Sequence, residues 1–531
     1  MGIHTRILRT RRWNLSPRPG IALRNQSPEH SRTAAITGAA TDDEGLMQRA
    51  PEHLHPQVIA REIALISIVI IIVAIPAILQ LGLMSWAAIG GLLAFALVYP
   101  RSVILAIPAM IPLSFQPMLL GSFELNVLEA LTIAGVIGYT PRFLAGFWKL
   151  TRIEPEDRYS YMRTIVPDRL AAGIAFLLVI AGIVSIIWMA DGAHAAESLR
   201  LARWTIVVPV AFFFLIVPIL RQHADYRYIA VGLFLAGAVV SSILALIDGA
   251  LGGGVQADAV TRLSGIAPHP NALALVLDRA LVLGILVGVL FRNKIARNWL
   301  IPSALVAVVL LLTFSRGAFL GVGAGVLLIL VIAQAGRFAV AMLGASVTAF
   351  VAMMMTAPER TLSFLGGGSG SMRIELWQSS LNMIADHVMT GVGLDQFLYQ
   401  YSPRYINPAA WPERFTSHPH NILLDSWLSL GIIGLIVIGM IGLITYRHVR
   451  TALLVQDRVT LAAAGALITV AVHGMVDHSY FLPELAVSAW LMVALLPPSH
   501  EPVIDDADLE ETQEAEASEE ADSLTESEGE R

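Results

Sequence analysis

The sequence predicts an all-α membrane protein, a polytopic helical bundle of 12–14 transmembrane helices with one long outer-face loop containing short amphipathic helices. Three observations predict it. Of 531 residues, 56% are hydrophobic and only 14% charged, whereas soluble proteins carry about 25% charged residues. The apolar residues fall in runs of about 17–25, the length a helix needs to cross a hydrocarbon core. Only helices or closed barrels satisfy their backbone polar groups in lipid, and runs without dyad alternation mean helices. One long polar stretch, 357–420, interrupts this pattern and bears Gly, Arg and His. Loops held by a rigid scaffold are where function concentrates. The chain has no cysteine, which excludes disulfides, thiolate metal sites and thiol catalysis.

In chain order, residues 1–61 are polar, with Arg6, Arg9, Arg11, Arg12, Arg18 and Arg24 near the start. They lack the apolar core and cleavage site of a signal peptide and read as a disordered cytoplasmic tail. Apolar runs follow at 63–83, 85–99, 102–120, 126–140, 170–190, 204–220, 228–249, 271–291, 298–314, 317–335, 338–356, 421–445, 459–476 and 480–497. The second, third and fourth are short or Pro-interrupted, which sets the range of spans. The first seven make an N-terminal membrane region, 62–249; the rest belong to a second, 250–497. Residues 498–531 are strongly acidic, carry much of the net charge of −6, and read as a solvated cytoplasmic tail.

Lys and Arg in short loops set orientation. With the N-terminus cytoplasmic, sixteen of them fall inside, including Arg101, Arg142, Lys149, Arg227, Arg292, Lys294 and Arg458, against eight outside. The outside set is Arg200, Arg203, Arg262, Arg316, Arg360, Arg373, Arg404 and Arg414. Each of these is an exception to the rule and a candidate for a task. This orientation puts the long loop on the outer face.

Arg316, in FSRGAFLGV, stands at the outer boundary of two apolar runs. It can snorkel to headgroups or grip a phosphate with its planar fork of donors. Gly317 beside it permits close approach of a backbone or ligand. In RLSGIAPHPNALAL, Arg262 and His269 are candidates to face an outer cavity, and Pro270-Asn271 reads as a turn into a helix. From Arg373 to His387, apolar residues Ile374, Leu376, Trp377, Leu381, Ile384 and Val388 recur at helical spacing. Such a helix suits the outer interface, with Trp377 as its anchor. Arg373 near its start is not favoured by the helix dipole, which points toward a ligand.

His420 precedes the hydrophobic helix that begins at Asn421. Its imidazole titrates near neutral pH and can act as general base toward a hydroxyl; Asn421 is a candidate cap. His418 and His420 lack evident further ligands for a zinc site. In HGMVDHSY, His473 and Asp477 are costly in lipid and should face protein or water. At i and i+4 they are expected on one helix face, paired. Asp278 and Arg279, inside a span, read as a buried ion pair.

With those residues in view, the chain resembles the O-antigen ligase and O-antigen polymerase family of bacterial polytopic membrane glycosyltransferases. The resemblance rests on FSRGAFLGV, MRIELWQSSLNMIADHVMTGVGLDQF, HNILLDSWLSLGIIG and HGMVDHSYF, and runs from about Ala250 to Leu496. The third segment, with His420-Asn421, nine residues, Gly431, two residues and Gly434, is similar to the ligase pattern. The resemblance implies transfer of a glycan from an undecaprenyl-pyrophosphate carrier to an acceptor hydroxyl on the outer face of the bacterial inner membrane. A glycan or lipid-linked acceptor would serve, without cofactor, nucleotide sugar or metal. It implies that Arg316 and Arg373 hold the donor pyrophosphate and that His420 activates the acceptor. Arg262, Asn421, His473 and Asp477 are further candidates for substrate contact. Extension of an O-antigen or exopolysaccharide chain by a polymerase is the alternative. A lipid-linked glycan transporter is a third reading, but it calls for broken helices at the midplane and an internal repeat, and the sequence has neither.

Overall fold

The apolar runs form helices, and they do so even across Pro76, Pro108, Pro141 and Pro218. The computed structural model describes residues 54–78, 82–120, 123–152, 167–257, 260–291, 297–358 and 369–497. The first helices are α1 Pro56–Ile78, α2 Gly82–Val98, α3 Pro100–Met110, α4 Val127–Leu150, α5 Arg169–Val184, α6 Ala195–Ala202, α7 Val208–Gln222 and α8 Ala224–Ala250. Then come α9 Pro270–Leu290, α10 Leu300–Leu312, α11 Arg316–Ile332, α12 Gly336–Thr356 and α13 Ser369–Asp386. The last four are α14 Ile422–Leu430, α15 Ile432–Val455, α16 Arg458–Gly474 and α17 Pro483–Leu495. Short helical turns join these helices, and there are two antiparallel hairpins: β1 Met118–Leu120 with β2 Phe123–Leu125, and β3 Val255–Ala257 with β4 Val260–Arg262. In the second, Val255 lies opposite Arg262.

Among the described residues, 8 helices are long and apolar enough to cross a membrane, and six more apolar helices have 10–17 residues. They coincide with the fourteen apolar runs, so the all-α polytopic class holds. The six short ones reach only about 20–26 Å at ~1.5 Å per residue, less than a ~30 Å core. The expectation of 12–14 full spans therefore resolves into long spans and shorter apolar helices. The run at 421–445 is two helices. Gly431, at φ +67, ends α14 and lets α15 restart, and a Cβ there would lie 2.2 Å from the Met389 carbonyl. The start of α1 also differs from expectation: residues 56–61, read as tail, are already helical. Residues 1–53 and 498–531 lie outside the described residues, as do Arg158, Arg163, Arg292, Lys294 and Arg360.

The centre of the bundle is α9, 83% buried over its apolar window, whereas α12 is 6% buried. α9 packs along α16, and α16 along α11. Helices in lipid gain no hydrophobic drive from meeting, so they associate through close van der Waals packing of small residues. α16 supplies Ala462, Ala463, Ala464 and Ala466; α11 supplies Gly317, Gly321 and Gly325, one per turn. A Cβ on Gly325 would meet Thr469 Oγ1 at 2.3 Å and the Gly465 carbonyl at 2.4 Å.

The two ends of α9 separate two kinds of loop. At one end Phe291 lies under the Arg458 guanidinium at 5.2 Å. Arg227 pairs there with Asp457 at 2.5 Å, and Arg101 donates to the Tyr226 hydroxyl at 2.6 Å. At the other end stands Asn271, with Arg262, Arg316 and Arg373 around it.

Because nothing yields at Gly325, Gly325→Val should destabilise the bundle by about 1–3 kcal/mol through overpacking. Gly344, with nothing within 4 Å of its would-be Cβ, is the control. Thermal unfolding in detergent should show a lowered Tm for Gly325→Val and little change for Gly344→Val.

Candidate functional site

The N-terminal end of α9 opens into a cavity of about 270 Å³. Arg262, His269, Asn271, Arg316, Arg373 and Glu413 line it together with His420 and Asp477. Five separate stretches of chain supply these groups.

Arg262 ends β4 and is buried. Its Nε donates to the Thr313 carbonyl at 2.7 Å and its Nη2 to Asn271 Oδ1 at 2.6 Å. Asn271 sits in the first turn of α9, where Pro270 occupies a position that needs no backbone donor. His269 caps that helix, its Nδ1 accepting from the Asn271 N–H at 3.1 Å. Arg316 is the first residue of α11, after a turn in which Phe314 takes φ +48. Arg373 projects from α13. That helix buries Leu376, Met383 and Ile384 against Phe397, Tyr401 and Leu428, while Ile374, Leu381 and Val388 stay exposed. Trp377 is not a free anchor: its Nε1 donates to the Pro419 carbonyl at 3.0 Å and ties α13 to the segment that carries His420.

His420 takes φ +52, a left-handed backbone that costs a non-glycine residue energy. Residues held this way cluster where the surrounding structure over-determines them. Here the Trp377 bond holds the preceding residue and Asn421 holds the following one. Asn421 Oδ1 accepts from the N–H groups of Leu423 (3.0 Å) and Leu424 (3.2 Å), and its Nδ2 donates to the Met475 carbonyl (3.0 Å). Asn421 thus caps α14 and is not among the residues lining the cavity.

Asp477 gathers the cavity's polar groups. Its Oδ1 accepts from His420 Nδ1 at 3.0 Å and from the His478 N–H at 2.8 Å. Its Oδ2 accepts from Asn271 Nδ2 at 2.8 Å and lies 3.6 Å from Arg373 Nη2. Burial works to raise this carboxyl. The His420 hydrogen bond and charge, with Arg373 and His473, outweigh burial and hold it well below the usual carboxylate range. A carboxylate only accepts, so His420 donates to it through Nδ1, and in the neutral form of that ring the lone pair is on Nε2.

Two pairings differ from the sequence expectation. His473 does not pair with Asp477. α16 ends at Gly474, so Asp477 leaves the helix face, and His473 Nδ1 meets Asp278 Oδ2 at 2.6 Å in the bundle interior. Its ring packs on Gly317, where a Cβ would lie 2.4 Å from Cδ2. The neighbour that Gly317 admits is this imidazole. Asp278 and Arg279 do not pair with each other either. Successive residues face different sides of a helix, and Arg279 donates to the Leu485 carbonyl (2.7 Å), Ser488 Oγ (2.5 Å) and the Ser479 carbonyl (2.5 Å).

A second His–Asp pair lies behind the first. His478 Nδ1 meets Asp425 Oδ2 at 2.7 Å. Between the pairs His418 stacks on His478 (4.1 Å, 18°) and meets His420 edge-on (4.3 Å, 73°). Burial pushes His418 well below the usual imidazole range, and His478 and His420 add to the push. Burial alone would lower His478; Asp425, the Phe481 backbone and Asp477 outweigh it and raise it. Sequence reasoning passed over Asp425 and the role of Asn271. A carboxylate in the first turn of a helix as apolar as α14 was the available signal for Asp425.

Fold and site together define a polytopic all-α membrane protein with a cationic, histidine-bearing cavity at one end of its bundle. Residues 301–439 match the family model described as O-Antigen ligase, so over this segment the chain is similar to that family. The match is narrower than the resemblance read from the motifs. It takes in Arg316, Arg373 and His420 and leaves out Arg262, Asn271 and Asp477. The search of curated proteins gives no match.

His478 has a raised proton affinity in the fold, so its pairing stabilises fully below the unfolded value of about 6.5 and is lost as pH rises through the folded value. Wild type should therefore exceed Asp425→Asn in Tm most near pH 6. The gap should narrow toward pH 9 in thermal unfolding run at both values.

Proposed function

We propose that this protein transfers a glycan from an undecaprenyl-pyrophosphate carrier to an acceptor hydroxyl at the outer face of the bacterial inner membrane, with both termini in the cytoplasm. The observation that carries this reading is the convergence of Arg262, Arg316 and Arg373 with the His420–Asp477 pair on one cavity. The chemistry needs those two components side by side. As the bond from the sugar's anomeric carbon to the phosphate oxygen breaks, negative charge grows on the departing pyrophosphate. Fixed cations aimed at that charge lower the barrier without reorganising. Arg316 and Arg373 are assigned this task because their planar forks match phosphate oxygens, and Arg262 adds its charge from behind Asn271. The acceptor oxygen attacks the same carbon and gives up its proton. His420 Nε2 takes that proton, while Asp477 orients the ring through Nδ1 and steadies the imidazolium that forms. His473 and Asn421 support the site from beneath rather than through contact with substrate.

The ligase reading is favoured over the polymerase one by the His420-Asn421…Gly431…Gly434 segment, in which Asn421 caps α14 and Gly431 turns the chain.

In a strain lacking its own copy, His420→Ala should insert normally and lower transfer by about 10²–10⁴-fold, the usual contribution of a general base. Carrier-linked glycan should accumulate, and the missing surface product identifies the acceptor. Normal surface glycan from His420→Ala would overturn the assignment. Arg316→Ala and Arg373→Ala should abolish transfer, and Arg316→Lys should restore only part of it, since Lys returns the charge without the fork.

A further inference from the structure

The cavity holds its charges in a closed arrangement. Arg373, expected to grip the donor, lies 3.6 Å from Asp477 Oδ2. The same carboxylate serves His420 through Oδ1 at 3.0 Å. One anion is therefore shared between the phosphate-gripping cation and the base. We propose that binding of a pyrophosphate group draws Arg373 off Asp477 and leaves the carboxylate to His420, so that the base reaches full strength only with the donor in place. This rests on the reading of the cavity given above and adds an order of events to it.

The physics is a competition for one guanidinium. Pyrophosphate offers Arg373 bidentate, charge-assisted bonds, stronger than a single contact at 3.6 Å. Asn271 Nδ2 and the His478 N–H, at 2.8 Å each, keep Asp477 in place when Arg373 leaves. Those are neutral donors, so the carboxylate then faces His420 with less of its charge cancelled. His473 is the other cationic neighbour that Asp477 can acquire, and it is held by Asp278 at 2.6 Å. Around His420 stand His418, Glu413, His269, Arg316 and Arg262. Arg262 is fixed by Thr313 and Asn271, so its charge does not shift. A ring that must take a proton from a hydroxyl benefits from the stronger anion behind it, and an idle site keeps a weaker base. Coupling is reciprocal, so protonating His420 must tighten the anion by the same factor that the anion strengthens the base.

The test uses inorganic pyrophosphate on the full chain in detergent, by calorimetric titration in two buffers of different ionisation enthalpy. It yields protons taken up per anion bound, and His420→Gln supplies the anion's own proton exchange for subtraction. Wild type should take up a net fraction of a proton near pH 7, and its affinity for pyrophosphate should rise as pH falls toward 6. In Arg373→Gln, binding through Arg316 and Arg262 should persist more weakly while most of the uptake disappears. Equal uptake in wild type and Arg373→Gln would mean that the anion alone strengthens the base, and the hand-over would be overturned. Equal uptake in wild type and His420→Gln would overturn it also, leaving the transferase reading intact. No pyrophosphate binding by wild type would overturn both.

Discussion

A carboxylate buried at the end of a helical bundle must be compensated from every side, or the fold cannot hold it in ionised form. Asp477 is compensated by Asn271 from the start of α9, Arg373 from α13, His420 from the segment before α14 and the N–H of its own neighbour His478. Asn271, Arg373 and His420 lie 206, 104 and 57 residues from Asp477 along the chain. The long loop is thus tied to the bundle at this anion, on which four groups converge. The left-handed backbone at His420 fits this account, because the residue is held by its bond to Asp477 and by the ties on either side of it.

Beneath the cavity, packing does the positioning. α11 and α16 approach closely through Gly317, Gly321, Gly325 and Gly465. His473 fills the space over Gly317 and is anchored in turn by Asp278. Arg316 therefore starts a helix whose first turn rests on a fixed imidazole. The His418 stack and the His478–Asp425 pair support His420 from the opposite side. Neutral His418 between two paired histidines keeps three imidazoles within contact distance without three positive charges. The match over 301–439 covers Arg316, Arg373 and His420. Asp477, which bonds His420, and Asn271, which bonds Asp477, come from outside it, from the turn after α16 and the first turn of α9.

How far the molecule was legible beforehand depended on the range of the interactions. Composition and run length gave the polytopic helical class, because lipid admits few other solutions. The motifs around Arg316, Arg373 and His420 marked three of the groups that line the cavity. Helical spacing also located the amphipathic α13. It misled at Trp377, whose indole bonds the Pro419 carbonyl instead of standing free at an interface. It misled again at His473 and Asp477, where i, i+4 spacing implied a pair and the helix ended between them.

The sequence by itself determined the local quantities: where apolar helices run and which loops carry arginine where few are expected. These follow from backbone propensity and transfer into lipid, which act within a few turns of chain. Only the tertiary structure decided which acid serves which base. Asp477 belongs to His420, 57 residues away, Asp425 to His478, 53 away, and Asp278 to His473, 195 away. Such pairings are set by the packing of α9, α11 and α16 and by the cost of leaving any buried charge alone, and no spacing along the chain encodes them.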